Sequence, residues 1–247
     1  AAWLTTVTTR LAIDRLRSAR RRREVHVGPW LPEAVASDAD DPFLAAASAE
    51  SLTIGFLAVL ERLEPVERAV FLLHDVFGHP FSEVAEAVGR AEANARQIAK
   101  RARDRVRAER PRPGLGERVP DPEHAERLVD AFLTAMVSGD LEGLRAMLTD
   151  DVVQVADGGP HRRAARRPVV GADRVARLLV NLSKRVAPGT RVHPVRVNGA
   201  LGWYLTVPGR PELVLAPAVR GGRVAGGYVV LAPEKLERFH AAWLATH

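Results

Sequence analysis

Hydrophobic residues in the first 110 positions recur at the three- and four-residue spacing of amphipathic helices. Residues 3–23 predict one helix, and its apolar stripe is expected to pack against helices that are absent from this chain. Helix is predicted again from near Glu50, and Pro65 favours the first turn of the next helix. The stripe of the first helix consists of Leu4, Val7, Leu11 and Leu16.

The segment from Phe81 to Arg103, FSEVAEAVGRAEANARQIAKRAR, predicts two helices joined by a tight turn. Ser82 is predicted to cap the first helix, and Gly89 permits the positive φ of the turn. The second helix presents Asn, Gln, Arg and Lys together, a combination that suits the major groove of DNA. An ordinary helical hairpin with a solvated face shows the same pattern. The charge distribution along the chain is therefore needed to distinguish such a hairpin from a DNA-binding one.

The second half of the chain combines helices with strand-like runs. Asp121-Pro122 predicts a helix start, Gly139 a stop, and Asp140 the cap of a short helix. Gly and Pro separate most of the later apolar runs, as in antiparallel meanders, which indicates an α+β arrangement. Strands are predicted at 152–155, 169–170, 191–197, 203–207, 213–219 and 227–231, and helices at 173–184 and 234–245.

Charge alternates along the first half of the chain. Residues 1–23 carry seven arginines and one aspartate, residues 24–89 twelve acids and two arginines, and residues 90–113 nine basic residues and three acids. Basic ends around an acidic middle favour binding to a polyanion such as DNA.

Composition excludes several classes of protein. The 247 residues include no cysteine, which rules out disulfides and thiolate metal sites. No apolar run reaches the ~20 residues that span a bilayer. The basic cluster follows the apolar N-terminal residues, the reverse of a signal peptide, so a cytoplasmic protein without membrane association is expected.

Four residues of the second half are candidates for acid–base chemistry, which needs a side chain with a shifted pKa inside a pocket. Asp157 lies in an Asp-Gly-Gly turn, and an aspartate in such a turn more often stabilises the turn than takes part in acid–base chemistry. His193 lies in a run with strand alternation, where histidines are usually structural. The others are His161 and Tyr204, and the eight histidines show no metal-ligand spacing. We therefore expect no catalytic residue, metal or cofactor.

Residues 1–110 resemble an extracytoplasmic-function (ECF) sigma factor. The segment LEPVERAVFLLHDVFGHPFSEVAEAVGRAEANARQIAKRAR is similar to region 4, which in that family binds the minus-35 promoter element. AWLTTVTTRLAIDRLRSARRRRE is similar to the last helix of region 2. The rest of region 2 is absent, so we expect residues 1–247 alone not to initiate transcription with core polymerase.

Residues 122–247 resemble the cone-shaped α+β fold of SnoaL-like domains, a relative of the NTF2-like fold. The combination is similar to the sigma factors that carry a fused SnoaL-like extension, whose signatures recur as WLPEAV (30–35), DGGPH (157–161) and APEKL (232–236). Pro160 and His161 stand where that subgroup has a glycine and a basic residue, and Ala232 to Glu234 replace Asn-Pro-Asp.

The resemblance implies five segments and two sets of site residues. The segments are a region 2 remnant (1–23), a linker with WLPEAV (24–49), region 4 (50–110), a second linker (111–121) and the SnoaL-like domain (122–247). The DNA-binding set is Arg90, Glu92, Ala93, Asn94, Arg96, Gln97, Lys100 and Arg101. The regulatory set is Trp30, Leu31, Pro32, Glu33, Asp157, Gly158, Gly159, Pro233, Glu234, Lys235 and Leu236.

The expected function is that of a sigma factor that binds core RNA polymerase and promoter DNA, with the SnoaL-like domain regulating activity in cis. The apolar WLPEAV segment is expected to dock on that domain. The alternative is a DNA-binding module joined to a small-molecule sensor or a polyketide cyclase-like or isomerase-like enzyme. An apolar cone with paired polar groups favours the first interpretation, and a wet pocket with an unpaired carboxylate the second.

Overall fold

The computed structural model describes residues 2–23, 28–36, 54–108, 122–208 and 210–246. The chain divides into two compact units, one of Ala1–His26 and Ala58–Arg110 and the other of Val27–Leu57 and Pro111–His247. The second linker, residues 24–27 and 37–49 of the first linker, and the predicted helix start at Glu50 lie outside the described residues.

The described part of the first half is mainly helical, as predicted, apart from linker residues 28–36, which form no helix. Gly89 ends the fourth helix with φ 64° and ψ 47°, and the Arg90 amide donates to the Ala85 carbonyl, which confirms the predicted turn. Pro65 occupies the first turn of its helix, also as predicted. The helices are α1 (Ala2–Arg23), α2 (Ile54–Leu60), α3 (Pro65–Phe71), a π-helical turn (Leu72–Val76), α4 (Phe81–Val88) and α5 (Glu92–Ala108).

A small apolar core joins α3, α4 and α5 within the first unit. Val70 of α3, Val84 of α4 and Ala99 of α5 are fully buried against one another. The predicted capping role of Ser82 is wrong, because the helix begins one residue earlier, Pro80 is its N-cap, and no side chain caps the free amides. Pro80 sets the extended backbone that enters the helix, with φ −65° and ψ 151°.

Helix α1 packs against α3 and α4 through a face that its hydrophobic pattern does not mark. Thr9 and Ile13 are buried there, whereas Leu4 and Leu11 of the predicted stripe are exposed. The Arg10 guanidinium donates to the carbonyls of Ala87 and Glu86, at 3.4 and 3.3 Å. Carbonyls in the last turn of a helix lack intrahelical donors, and this contact helps to select the packed face.

The second unit has an α+β architecture, as predicted. Its six-stranded sheet has the order β2-β1-β6-β5-β4-β3. Strands β3 to β6 form the expected antiparallel meander, but β1 and β6 pair in parallel. The elements are α6 (Pro122–Ser138), α7 (Leu141–Met147), β1 (Leu148–Asp157), β2 (Val169–Val170), α8 (Ala172–Ser183), β3 (Arg191–Val197), β4 (Ala200–Val207), β5 (Arg210–Arg220), β6 (Arg223–Val230) and α9 (Pro233–Thr246).

Helices cover both faces of this sheet. Helices α6 to α8 form the main apolar core with β1 and β6. Trp203 lines a cavity on that side together with Leu133 of α6, whereas Tyr204, the next residue of β4, packs on Phe239 of α9. Asp140 caps α7 by accepting from the Gly143 amide at 2.9 Å, as predicted. No helix in the described part of the chain is long and apolar enough to cross a membrane.

Candidate functional site

The eight residues predicted to bind DNA are all exposed; seven lie on the outer face of α5, and Arg90 lies two residues before the helix begins. The opposite face buries five apolar residues in the first unit, three of which are alanines. Alanines let the helix lie close to α3 and α4 while its long polar side chains stay outside. The buried five are Ala95, Ile98, Ala99, Ala102 and Val106, and the exposed eight are Arg90, Glu92, Ala93, Asn94, Arg96, Gln97, Lys100 and Arg101.

The polar side chains of the exposed face fall into two groups, because some bind neighbouring residues and others do not. Arg96 pairs with Glu92 at 2.5 Å, and its guanidinium carbon lies 4.6 Å from the centre of the Phe81 ring. The side chains of Asn94, Gln97 and Lys100 make no hydrogen bond or ion pair with any described residue. These three side chains keep their donors and acceptors available to a partner outside the unit.

Ion pairs fix the second half of α5 to the rest of the first unit. The buried Glu67 of α3 accepts from Arg105 and lies 3.9 Å from the Arg101 guanidinium. Arg103 pairs with Asp75 of the π-helical turn at 2.7 Å. The sequence did not single out Glu67, because its partners lie more than thirty residues away and no local pattern marks them.

In the second unit, a buried ion pair between Asp157 and Lys235 holds the WLPEAV segment at Leu31. We call these three residues the linker clamp. Asp157, at the end of β1, is fully buried, and its carboxylate accepts from the Leu31 amide at 2.9 Å and the Lys235 ammonium at 2.7 Å. The same ammonium donates to the Leu31 carbonyl. The structure therefore brings together one residue from each of the three signature segments.

The rest of the regulatory set surrounds this pair. The Lys235 ammonium lies 4.1 Å from the centre of the half-buried Trp30 ring, a cation–π arrangement. Glu33 pairs with Arg238 at 2.7 Å near the surface. The Gly159 amide donates to Asp157 at 2.9 Å, whereas Glu234 is exposed. Pro32, Gly158 and Leu236 are buried, and Pro233 is half-buried.

Burial lowers the pKa of the Lys235 ammonium, and the neighbouring Asp157 carboxylate opposes that change. An isolated charge in this position would be unstable, because desolvation disfavours the charged form. The ammonium is satisfied by a carboxylate, a carbonyl and an aromatic face. The pair is thus complete only while the linker is in place.

Asn198 provides a second attachment for the linker, which sequence reasoning missed. Its carboxamide accepts from the Val35 amide at 3.2 Å and donates to the Glu33 carbonyl at 3.3 Å. Its own amide donates to the Val35 carbonyl at 2.9 Å, and Ala36 bridges to Val197. Asn198-Gly199 is a typical hairpin turn dipeptide, and no feature of the sequence points from it to the linker.

The candidates for acid–base chemistry are not assembled in a pocket. Asp157 belongs to the linker clamp, and His161 is exposed. Tyr204 and His193 lie near each other, but Tyr204 bonds to His240 at 2.7 Å and His193 to Thr206 at 3.0 Å. Burial raises the pKa of Tyr204 to about 12, which keeps its hydroxyl protonated.

The cone encloses a cavity of about 30 Å³ on the side of α6 and α8. Its lining is apolar apart from the Gln154 side chain, and it contains no carboxylate or histidine. Among the described residues, no three His, Cys, Asp or Glu lie close enough to hold a metal ion.

Comparison with known proteins places these sites in context. Residues 55–106 match the family model for sigma-70 region 4. The ECF RNA polymerase sigma factor SigJ of Mycobacterium tuberculosis is 42% identical over 245 residues, which cover 95% of this chain and 77% of that protein.

Solved structures extend the comparison to both units. A crystal structure of the M. tuberculosis sigma factor SigJ matches with a TM-score of 0.74 and 37% identity, and covers 96% of this chain and 82% of that one. An NTF2-like protein from Burkholderia xenovorans LB400 covers 48% of this chain and 96% of its own, with 19% identity and a TM-score of 0.34.

Proposed function

Because this chain belongs to the ECF RNA polymerase sigma factors, we propose that its region 4 reads the minus-35 promoter element through the exposed face of α5. As a sigma factor it acts in transcription initiation by binding core polymerase and promoter DNA. Its second unit has the SnoaL-like, NTF2-like α+β fold. The supporting observation for DNA reading is the unengaged polar row Asn94, Gln97 and Lys100.

We assign base contacts to Ala93, Asn94 and Gln97, which lie in the first two turns of α5. Carboxamides bond in pairs to adenine, and a small methyl group contacts thymine. Arg96, Lys100 and Arg101 are assigned to phosphates or guanine. Arg90 and Glu92 flank this surface at the start of the helix and position it.

Selection from a random pool of duplex DNA, with the protein bound to core polymerase, tests this assignment. We expect a single short motif to be enriched, because the base-reading residues form one continuous helical surface. Selection without any enriched motif would contradict the assignment of α5 as a sequence reader.

We further propose that the second unit regulates the sigma factor in cis by holding the linker at residues 28–36. Both attachments support this, since Asp157 and Lys235 bind Leu31 while Asn198 binds Glu33 and Val35. The chain continues from this linker to region 4, so holding or releasing it changes the freedom of the DNA-binding helices. No catalytic step is assigned to the domain, and the protein acts in the cytoplasm, where polymerase and promoter are found.

Substitution of Trp30 tests the regulatory role. Trp30→Ala removes a half-buried ring and the cation–π contact with Lys235, worth ~2 kcal/mol together. We expect the variant to change the affinity of the polymerase-bound protein for the selected duplex, while binding of that duplex by the protein alone stays the same. Leu182→Ala, an exposed apolar residue of α8, is the control. Equal affinities for the three polymerase-bound proteins would argue against regulation through the linker.

A further inference from the structure

A second cavity, of about 650 Å³, lies outside the cone, beside the linker clamp. Its walls are Gly28 and Pro29 of the linker, Ala156 of β1, and the loop at 158–166, which reads GGPHRRAAR. A volume of this size is in the ordinary range of small-molecule sites, roughly 300–1,000 Å³. It is therefore large enough for a ligand that the cone cavity could not hold.

The charge of this cavity is unbalanced. Arg162 pairs with Glu212 at 2.5 Å, but Arg163 and Arg166 are exposed and have no carboxylate partner among the described residues. The carboxylate of Glu234 also lies near this wall, because its Oε1 is 3.2 Å from the position that a Cβ on Gly159 would take. Asp157 is neutralised by Lys235. The cavity keeps a net positive charge.

The loop backbone that carries these arginines is held by specific contacts. The Arg162 amide donates to the Gly158 carbonyl at 3.0 Å, and a Cβ on Gly158 would lie 2.3 Å from the Arg162 oxygen. Gly159 has φ +58° and donates to Asp157. With the Arg162–Glu212 pair, these contacts fix the loop and lower the entropy lost when a ligand binds.

We propose that this cavity binds a small phosphorylated anion through Arg163 and Arg166. Planar guanidinium groups match the geometry of phosphate oxygens and bind them in pairs. A monocarboxylate can pair with only one of the two guanidinium groups at a time, whereas a diphosphate offers phosphoryl oxygens to both. The site is also concave, which suits a small ligand better than the outer surface of a duplex.

The same ligand would touch the linker, because Gly28 and Pro29 line the cavity directly before Trp30. Binding would then be coupled to docking of the linker, and each would strengthen the other. This regulatory consequence rests on the proposed role of the linker. The binding site itself does not, so the two are tested separately.

Isothermal titration of the whole protein with inorganic pyrophosphate at constant ionic strength tests the site. We expect saturable binding that the double variant Arg163→Gln/Arg166→Gln weakens by about tenfold or more, which corresponds to ~1.4 kcal/mol. Arg185→Gln/Arg191→Gln removes the same charge, with Arg191 on β3 at the opposite edge of the sheet, and should bind as the unaltered protein does. Absence of binding, or equal weakening by both pairs, overturns the proposal.

A second measurement does not depend on the variants being well folded. Pyrophosphate should slow amide hydrogen exchange in residues 158–166 of the unaltered protein, and exchange that does not change there counts against the site. Titration with duplex DNA separates the two sources of phosphate. If the arginine pair weakens binding of DNA but leaves pyrophosphate binding unchanged, the small-ligand proposal is wrong and the loop is a DNA contact. None of these results depends on the outcome for Trp30→Ala.

Discussion

The exposed face of α5 and the linker clamp use polar side chains in opposite ways. On α5, Asn94, Gln97 and Lys100 point away from a buried face of alanines, one isoleucine and one valine, and no described residue satisfies their side chains. In the clamp, Asp157 and Lys235 are almost completely buried and bond to each other and to Leu31. The exposed face of α5 is available to a partner molecule, whereas the polar groups of the clamp are satisfied by a segment of the same chain.

This difference determines what a substitution does. Removing an exposed polar group leaves the fold intact and changes only binding, because water solvates whatever remains. Removing one member of a buried pair leaves the other desolvated and alone, which destabilises the fold strongly. The two regions should therefore be separable by experiment, with losses of stability confined to the clamp and changes in base preference and salt dependence confined to α5.

The largest effect is expected for Asp157→Ala. This substitution strands the Lys235 ammonium and removes the acceptor of the Leu31 amide, so the free energy of unfolding of the second unit should fall by ~3–5 kcal/mol. Denaturant unfolding measures this. Asp151→Ala, which breaks the exposed pair with Arg220, should change it by only ~0–1 kcal/mol. Similar losses for both would mean that the clamp is no more than a surface ion pair.

A smaller loss of stability is expected for Asn198→Ala. It removes two hydrogen bonds to the linker and places alanine at φ 51°, a strained conformation, for a total of ~2–3 kcal/mol. Asn198→Gly keeps the favourable backbone and loses only the bonds, so it should lose about 1–2 kcal/mol. Faster hydrogen exchange of the Val35 amide in both variants is the measurement. If glycine restores full protection, the carboxamide does not hold the linker.

On α5, Gln97→Ala should leave stability unchanged and alter specificity. A carboxamide that bonds to a base edge discriminates by ~1–3 kcal/mol, so preference should relax at one position of the selected element. Affinity measurements on single-base variants of that element give the profile. Uniform weakening at all positions would remove Gln97 from the base-reading residues.

The smallest effect is expected for Lys100→Ala, whose ammonium has no partner among the described residues. Loss of one phosphate contact should weaken binding to every sequence alike and make the slope of log affinity against log salt shallower by about 0.9. Gln97→Ala serves as its control, since the two residues lie on the same helix face. A changed base preference with an unchanged salt slope would reverse the roles assigned to these residues.

Local signals in the sequence predicted much of the fold. The left-handed turn at Gly89 and the cap at Asp140 depend on residues no more than five positions apart, so a pattern of a few letters is enough to identify them. Strand β3 was predicted with its observed bounds for the same reason, because alternation is a property of the segment itself. Ser82 failed as a cap because Pro80, two residues earlier, sets the entry of the helix.

Pairings between residues far apart in the chain were harder to predict from local sequence patterns. The parallel pairing of β1 with β6 was missed, because adjacent apolar runs favour antiparallel hairpins and nothing in either strand marks a remote partner. Asn198 was missed because an Asn-Gly turn is already explained by its own hairpin. The three segments of the clamp were named together only through family resemblance, and the atoms that join them emerge from the fold.

The long sequence separation within the clamp has a consequence for the synthesis of the protein. Lys235 and Leu31 are 204 positions apart, so a ribosome adding ~5–20 residues per second makes the linker roughly 10–40 s before the ammonium that holds it. The main-chain carbonyl of Asp157 accepts from the amides of Leu231 and Ala232, just after β6, so these contacts of Asp157 also form late in translation. The clamp therefore closes only after residue 235 has been translated, and until then the linker lacks the contact between Lys235 and Leu31.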